Sequence, residues 1–263
     1  MAPANASLTT APLATAKHAT GPLATASLAA ALLLSGATLL QPRSALAVES
    51  ATVVEILDGD QLYINQKQAR VQSHAAAPEV VSTKGSRGQL AFSSGAAGRL
   101  NRFSVLRLGS SCFLMEKGQI LVSGKQNGCT RSARLSVRGT NYIVEVQEDG
   151  TAEISVLEGS VAVEPLKDGE PTGAPVTTVE AGNRLRLSPV GVVLALLQLS
   201  SADYTTILSG PLFSGFSIQL PGFASLESYI RGSVPGVTLP SLPVAPTLPS
   251  GPVLPSIPRF GLF

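Results

Sequence analysis

Tryptophan is absent from the 263 residues, histidine and cysteine occur twice each, and only 14% of positions carry a charge. These shortages close several routes to function. His18 precedes the small-residue stretch Ser44-Ala45-Leu46-Ala47 and would leave with a cleaved leader, so His74 alone remains for acid–base work. It stands beside an alanine run and Pro78, and no nucleophile-elbow motif occurs in the chain. Two cysteines without a suitable histidine make a poor zinc site. Gly85-Ser86-Arg87-Gly88 is too short for a phosphate loop and opens no helix. Asp58 with Asp60, and Glu148 with Asp149, are pairs of carboxylates, yet each abuts a glycine and reads as turn chemistry. The expectation is a chain with no catalytic residue, no metal and no cofactor.

Charge is as sparse in sum as in number. Lys17 and Arg43 precede Ala47 and no acid does, so loss of a leader takes the 19 basic residues to 17, against 17 acidic ones. A neutral mature chain lacks the excess of Lys and Arg that phosphate binding needs, which argues against nucleic acid as a partner. The distribution is uneven, however. Between Lys84 and Arg138 lie ten basic residues and one acid, Glu116; between Gly139 and Glu180 lie nine acids and one base, Lys167. Either the two halves pair their strands with opposite charges facing, or they leave a basic face for an anionic glycan, a lipid headgroup or an acidic protein. Arg131, Arg134 and Arg138 are the candidates for that face, since alternate positions of a strand share one side.

What is abundant is strand pattern. In Leu135 to Pro165, Tyr142, Val144 and Val146 alternate with Ile143, Glu145 and Gln147, the period of a strand with one buried face. Asp149-Gly150 then supplies a hairpin turn, and Glu158-Gly159 is read as a second tight turn between two short strands. Gly139 and Gly159 are expected where a turn or bulge leaves no room for a side chain. Upstream, Ala51 to Val71, Leu90-Ala91-Phe92, Leu100 and Val105 to Leu108 give further short strands between glycine turns. Cys112 and Cys129 flank a run expected to turn at Met115–Gly118 and again at Gly124–Gly128. That brings them close enough for a disulfide, with two buried free thiols as the alternative.

The ends differ from this middle. An Ala/Leu-rich run over Leu23–Leu40 followed by the A-x-A site predicts a signal peptide over 1–47, with an uncleaved anchor as the competing reading. The apolar run Val190–Leu199 is expected to be a packed segment, Ser201 to cap a helix ending at Gly210-Pro211, and Ala224–Arg231 to form a second short helix. Phe213, Phe216 and Phe223 are expected to dock this segment, 189–233, as a satellite. In the tail, 234–263, proline recurs at every third position from Pro240 to Pro258, the repeat of a polyproline II rod, which serves as a spacer or docks in a partner's aromatic groove.

Arg138-Gly139-Thr140-Asn141-Tyr142, the Asp149-Gly150 turn and Val156-Leu157-Glu158-Gly159-Ser160-Val161 together resemble the FecR domain. The resemblance extends from about Val48 to Leu187, through Thr83–Ser86, Leu90–Phe92 and Val179–Gly182. The family is named for an iron-citrate regulator that links an outer-membrane receptor to a sigma factor. The resemblance, with the strand pattern, implies an all-β domain over 48–188, a sandwich or solenoid-like stack of short antiparallel strands. Two functions follow as expectations: a non-enzymatic exported module that binds or scaffolds in the envelope, or a periplasmic sensor working through a separate partner. The expected place is the periplasm or cell envelope, with outer-membrane association as a further option. Ligand and oligomeric state stay open.

Overall fold

The structure, a computed structural model, describes residues 49–167 and 169–239. The leader expected over 1–47 and the proline-periodic stretch from Pro240 lie outside the described residues. In chain order the strands are β1 (Ser50–Leu57), β2 (Leu62–Ile64), β3 (Lys67–Gln68), β4 (His74–Ala76), β5 (Val80–Thr83), β6 (Arg87–Phe92), β7 (Ala97–Leu100) and β8 (Val105–Leu108). The long central strands follow: β9 (Phe113–Gly124), the short β10 (Gly128–Cys129), β11 (Ala133–Val146) and β12 (Ala152–Lys167). Then come β13 (Glu170–Pro171), β14 (Thr177–Glu180), β15 (Asn183–Leu187), β16 (Val193–Gln198) and the helices α1 (Ser201–Ser209) and α2 (Phe223–Ser233). The strands join in one hydrogen-bonded network, antiparallel except where β10 runs parallel to the start of β9. The fold is all-β, as the pattern implies. Among the described residues no helix is long and apolar enough to cross a membrane.

Two expected turns are bends within strands. Met115–Gly118 was expected to reverse the chain, but β9 runs on through it. Gly118 takes φ +84°, where a Cβ would press on Ser104, and the pairing partner changes there from β8 to β7 and β11. The strand curls sharply: only three residues separate Gly124 from Gly128, which lies opposite Phe113. The two ends of β9 are therefore within about 20 Å, where a straight strand of that length would span about 40 Å. Likewise Glu158-Gly159 is not a turn between short strands. β12 continues through it with a bulge opposite Arg138–Asn141, and a Cβ on Gly159 would overlap the methyl of Thr140. A glycine at positive φ serves a bulge as readily as a turn, so the strands are longer than expected.

Register lines up residues across eight strands. One row runs Ile56, Gly88, Leu100, Ile120, Val144, Ile154, Leu185, Leu196, from β1 through β6, β7, β9, β11, β12 and β15 to β16. Leu100, Ile120, Val144, Ile154 and Leu185 have no exposed surface and belong to the main core. The adjacent row, on the opposite face, runs Glu55, Gln89, Arg99, Leu121, Ile143, Ser155, Arg184, Leu197. Its middle members are buried as well, because the C-terminal segment covers this face. The expectation of one buried face therefore fails over 140–144, where every residue is buried.

That cover is built from α1, α2 and the connection between them. Ser200, one residue earlier than expected, caps α1: its hydroxyl accepts from the Asp203 amide and the Asp203 carboxylate accepts from the Ser200 amide. α2 runs to Ser233 and so passes through Gly232, the expected stop. Tyr204, Leu208, Leu212, Phe213, Phe223, Leu226 and Ile230 pack onto Leu121, Ile143 and Leu157, forming a second core. Polar clasps fix the connection. Arg99 is 5% exposed, donates to the carbonyls of Leu212 (3.1 Å) and Ile218 (2.9 Å) and to Gln89 Oε1 (2.8 Å), and lies 4.2 Å from the Phe216 ring centre. Burial lowers its pKa to about 10, so it is a cation at neutral pH. Arg87 donates to the Pro211 and Ser214 carbonyls, and Glu55 accepts from the Ser217 and Ile218 amides.

The run Val190–Leu199, expected to be packed, instead forms the outermost strand, β16, and most of its large side chains face solvent. The two charged halves meet only in part. Arg134 pairs with Glu164 (2.9 Å) and Lys117 with Glu148 (2.6 Å), whereas Arg87 and Arg102 share Asp58 and Arg107 pairs with Glu116.

Candidate functional site

Cys112 and Cys129 are bonded, with Cα atoms 5.9 Å apart. The curl of β9 brings them together: Cys112 precedes its first residue, and Cys129 on β10 lies beside Leu114. Gly128 lets β10 approach, since a Cβ there would strike the Phe113 ring at 2.8 Å. The disulfide forms one wall of a cleft of about 650 Å³. Arg107 from β8, Arg131 from the loop after β10, Arg134 from β11 and Lys167 at the end of β12 line it, with Leu114, Leu166, Pro189 and Val190 as apolar floor and rim. The tip of the β15–β16 hairpin closes it; Gly191, at φ +80°, sits so close that a Cβ would lie 2.9 Å from the Leu166 and Ser132 carbonyls.

Four cations from four separate elements thus meet around one hollow, and no carboxylate lines it among the described residues. Arg107 and Arg134 are held by Glu116 and Glu164, which sit outside the lining. Arg131 makes no ion pair among the described residues and also lines the neighbouring hollow, which contains Glu116, Glu148 and Asp149. Such a hollow suits a carboxylate- or phosphate-sized anion with an apolar group beside it.

Of the three arginines expected on a basic face, Arg131 and Arg134 reach the cleft and Arg138 does not. Arg138 is exposed on β11 opposite Ser160, beyond the lining. Arg107 and Lys167 were missed, because nothing in sequence joins residues 60 apart. The motif positions serve the frame. Gly139 (φ +54°) and Gly159 (φ +83°) shape the bulge, and Thr140 is buried against it. Glu158 accepts from Asn141 Nδ2 (2.9 Å), which also donates to the Gly222 carbonyl (2.9 Å). Asp149 and Gly150 turn β11 into β12. The Thr151 amide (2.8 Å) and hydroxyl bind the Asp149 carboxylate and hold its pKa below the usual range.

His74 is exposed, with Thr52 Oγ1 3.4 Å from Nδ1. Among the described residues no group of three His, Cys, Asp or Glu is placed to hold a metal ion.

Residues 79–162 match the FecR protein family. The FecR match runs from the start of β5 into β12 and contains Arg107, both cysteines, Arg131 and Arg134. No curated protein matches the chain. Two crystal structures of a candidate anti-sigma factor from Parabacteroides distasonis are similar to it, at 20% and 21% identity and a TM-score of 0.40 each. Each alignment covers 50% of this chain, and it spans 65% and 64% of the two solved chains.

Proposed function

We propose that this chain is a non-enzymatic, exported FecR-type sensing module that passes a binding state to a separate partner protein. The observation that carries the reading is the FecR match over the strands that build the cationic cleft. FecR-type signalling favours a relay over a passive scaffold, and the cleft supplies a contact for an anionic group of a ligand or partner.

The test is transcript profiling of a strain lacking the gene, beside strains carrying Arg131→Glu with Arg134→Glu. A relay predicts that deletion and the double variant shift the same small set of transcripts while the variant accumulates normally. Unchanged transcripts in both strains would return the reading to an envelope scaffold. Export is tested separately, by the intact mass of the native protein with and without reductant. A soluble envelope species beginning at Val48 and two hydrogens lighter than its reduced form is expected, whereas a full-length membrane-bound species would make the chain an anchored sensor.

A further inference from the structure

The two residue rows that define the sheet both run out at β16 while still apolar. Leu196 ends the inner row and Leu197 the outer one, yet they are 53% and 54% exposed. Val193 and Leu194 on the same strand, and Val190 and Val192 just before it, are 43% to 61% exposed. Among the described residues β15 is the sole neighbour of β16. The strand VLALLQ carries no charge and no proline, the usual guards of a free edge. The Leu199 amide donates to the Gly182 carbonyl, so strand alternation points the N–H and C=O of Leu196 and Gln198 away from β15, to the open edge.

We infer that β16 is an interface between two copies of this chain, paired antiparallel about a two-fold axis at Leu196. At that register Leu196 of each copy faces Leu196 of the other and exchanges both backbone hydrogen bonds with it. Ala195 faces Leu197 on the opposite side of the sheet, and both rows continue without interruption into the second copy. Charge permits the approach. The nearest cations, Arg184 and Arg186 on β15, share Glu153, at 3.6 and 3.2 Å, and β16, which carries no charge, stands between them and the open edge. The exposed apolar side chains offer on the order of 500 Å² per copy, about 1,000 Å² for two, near the lower limit for a specific interface. An interface at this lower limit is expected to dissociate on dilution. This inference is independent of the sensing role.

Sedimentation velocity of the full chain, from about 1 µM to about 200 µM, reads it directly. The expected result is a monomer–dimer equilibrium that Leu196→Lys shifts at least tenfold toward monomer, by placing two like charges face to face. Leu196→Met should keep the dimer, and circular dichroism of both variants should match the parent. A parent that stays monomeric throughout the range would overturn the proposal, as when the chain's own tail covers β16. A dimer that Leu196→Lys leaves unchanged would overturn it too.

Discussion

Replacing Arg99 by Met tests whether the C-terminal cover is held by polar clasps or by apolar packing alone. Met keeps an unbranched apolar stem but ends two bonds short of the terminal guanidinium nitrogens, so it removes the cation and leaves a small cavity beside Phe216. Two effects oppose each other. Removing a buried charge that has no ion pair among the described residues relieves its desolvation, which alone would stabilise the fold. Against this, the carbonyls of Leu212 and Ile218 and the Gln89 side chain lose their donor in a site where Arg99 is 5% exposed. Each acceptor left unsatisfied costs about 1–3 kcal/mol, and the face-on contact with Phe216 contributes about 1 kcal/mol more. The lost hydrogen bonds outweigh the relieved charge, and a net loss of about 3 kcal/mol follows. For a domain of this size that lowers Tm by roughly 6–12 °C. Urea denaturation followed by circular dichroism gives the free energy, and limited proteolysis gives the place: cleavage within 211–222 should precede global unfolding. Unchanged or raised stability, with no early cleavage, would refute the reasoning and leave Phe213 and Phe223 as the fasteners.

Three further predictions concern the frame. Gly159→Ala should cost about 2–4 kcal/mol in thermal denaturation, since its Cβ meets Thr140 at positive φ, whereas Gly139→Ala, with open space around it, should cost about 1 kcal/mol. Reduction, or Cys112→Ser with Cys129→Ser, should lower stability by about 3 kcal/mol for a loop of this length, read as the shift in urea midpoint. Asp58, Glu148, Asp149 and Asp203 all have pKa values held below the usual carboxylate range, chiefly by bonds from Arg87, Lys117, Thr151 and Ser200. Their contribution is complete above the unfolded value near 4 and is lost as pH falls through the lower folded values. Tm should therefore hold between pH 7 and pH 5 and fall below about pH 4, with a shallower fall in Asp58→Asn; a Tm flat to pH 2.5 would exclude these bonds as a source of stability.

Local chemistry was legible in the sequence and distant partnership was not. Asp149-Gly150 and the start of α1 are set by residues within three positions of each other. Gly118, and Glu158-Gly159 as a tight turn, were misread because positive φ marks bulges and hairpin turns alike, although a bulge at Gly159 was among the expectations. The β16 run was misread because apolar sequence alone does not say which side of a sheet edge it occupies. The roles of Arg87 and Arg99 were not legible, because their carbonyl partners lie more than a hundred positions later. The cleft followed the same rule: Arg131 and Arg134 were near each other in sequence, while Arg107 and Lys167 reached it only through the curl of β9 and the length of β12.

The second core has a bearing on what can be produced and studied in isolation. Leu121, Ile143 and Leu157 all fall within 79–162, and they are covered by residues that begin at Leu199. A fragment cut to the matched family segment would also lack β1, whose Ala51 and Val53 complete the main core on the other side. Such a fragment would present greasy surface on both faces of a half-built sheet and should aggregate. During synthesis the chain reaches this state in passing, and burial of its outer face must wait until α2 has emerged.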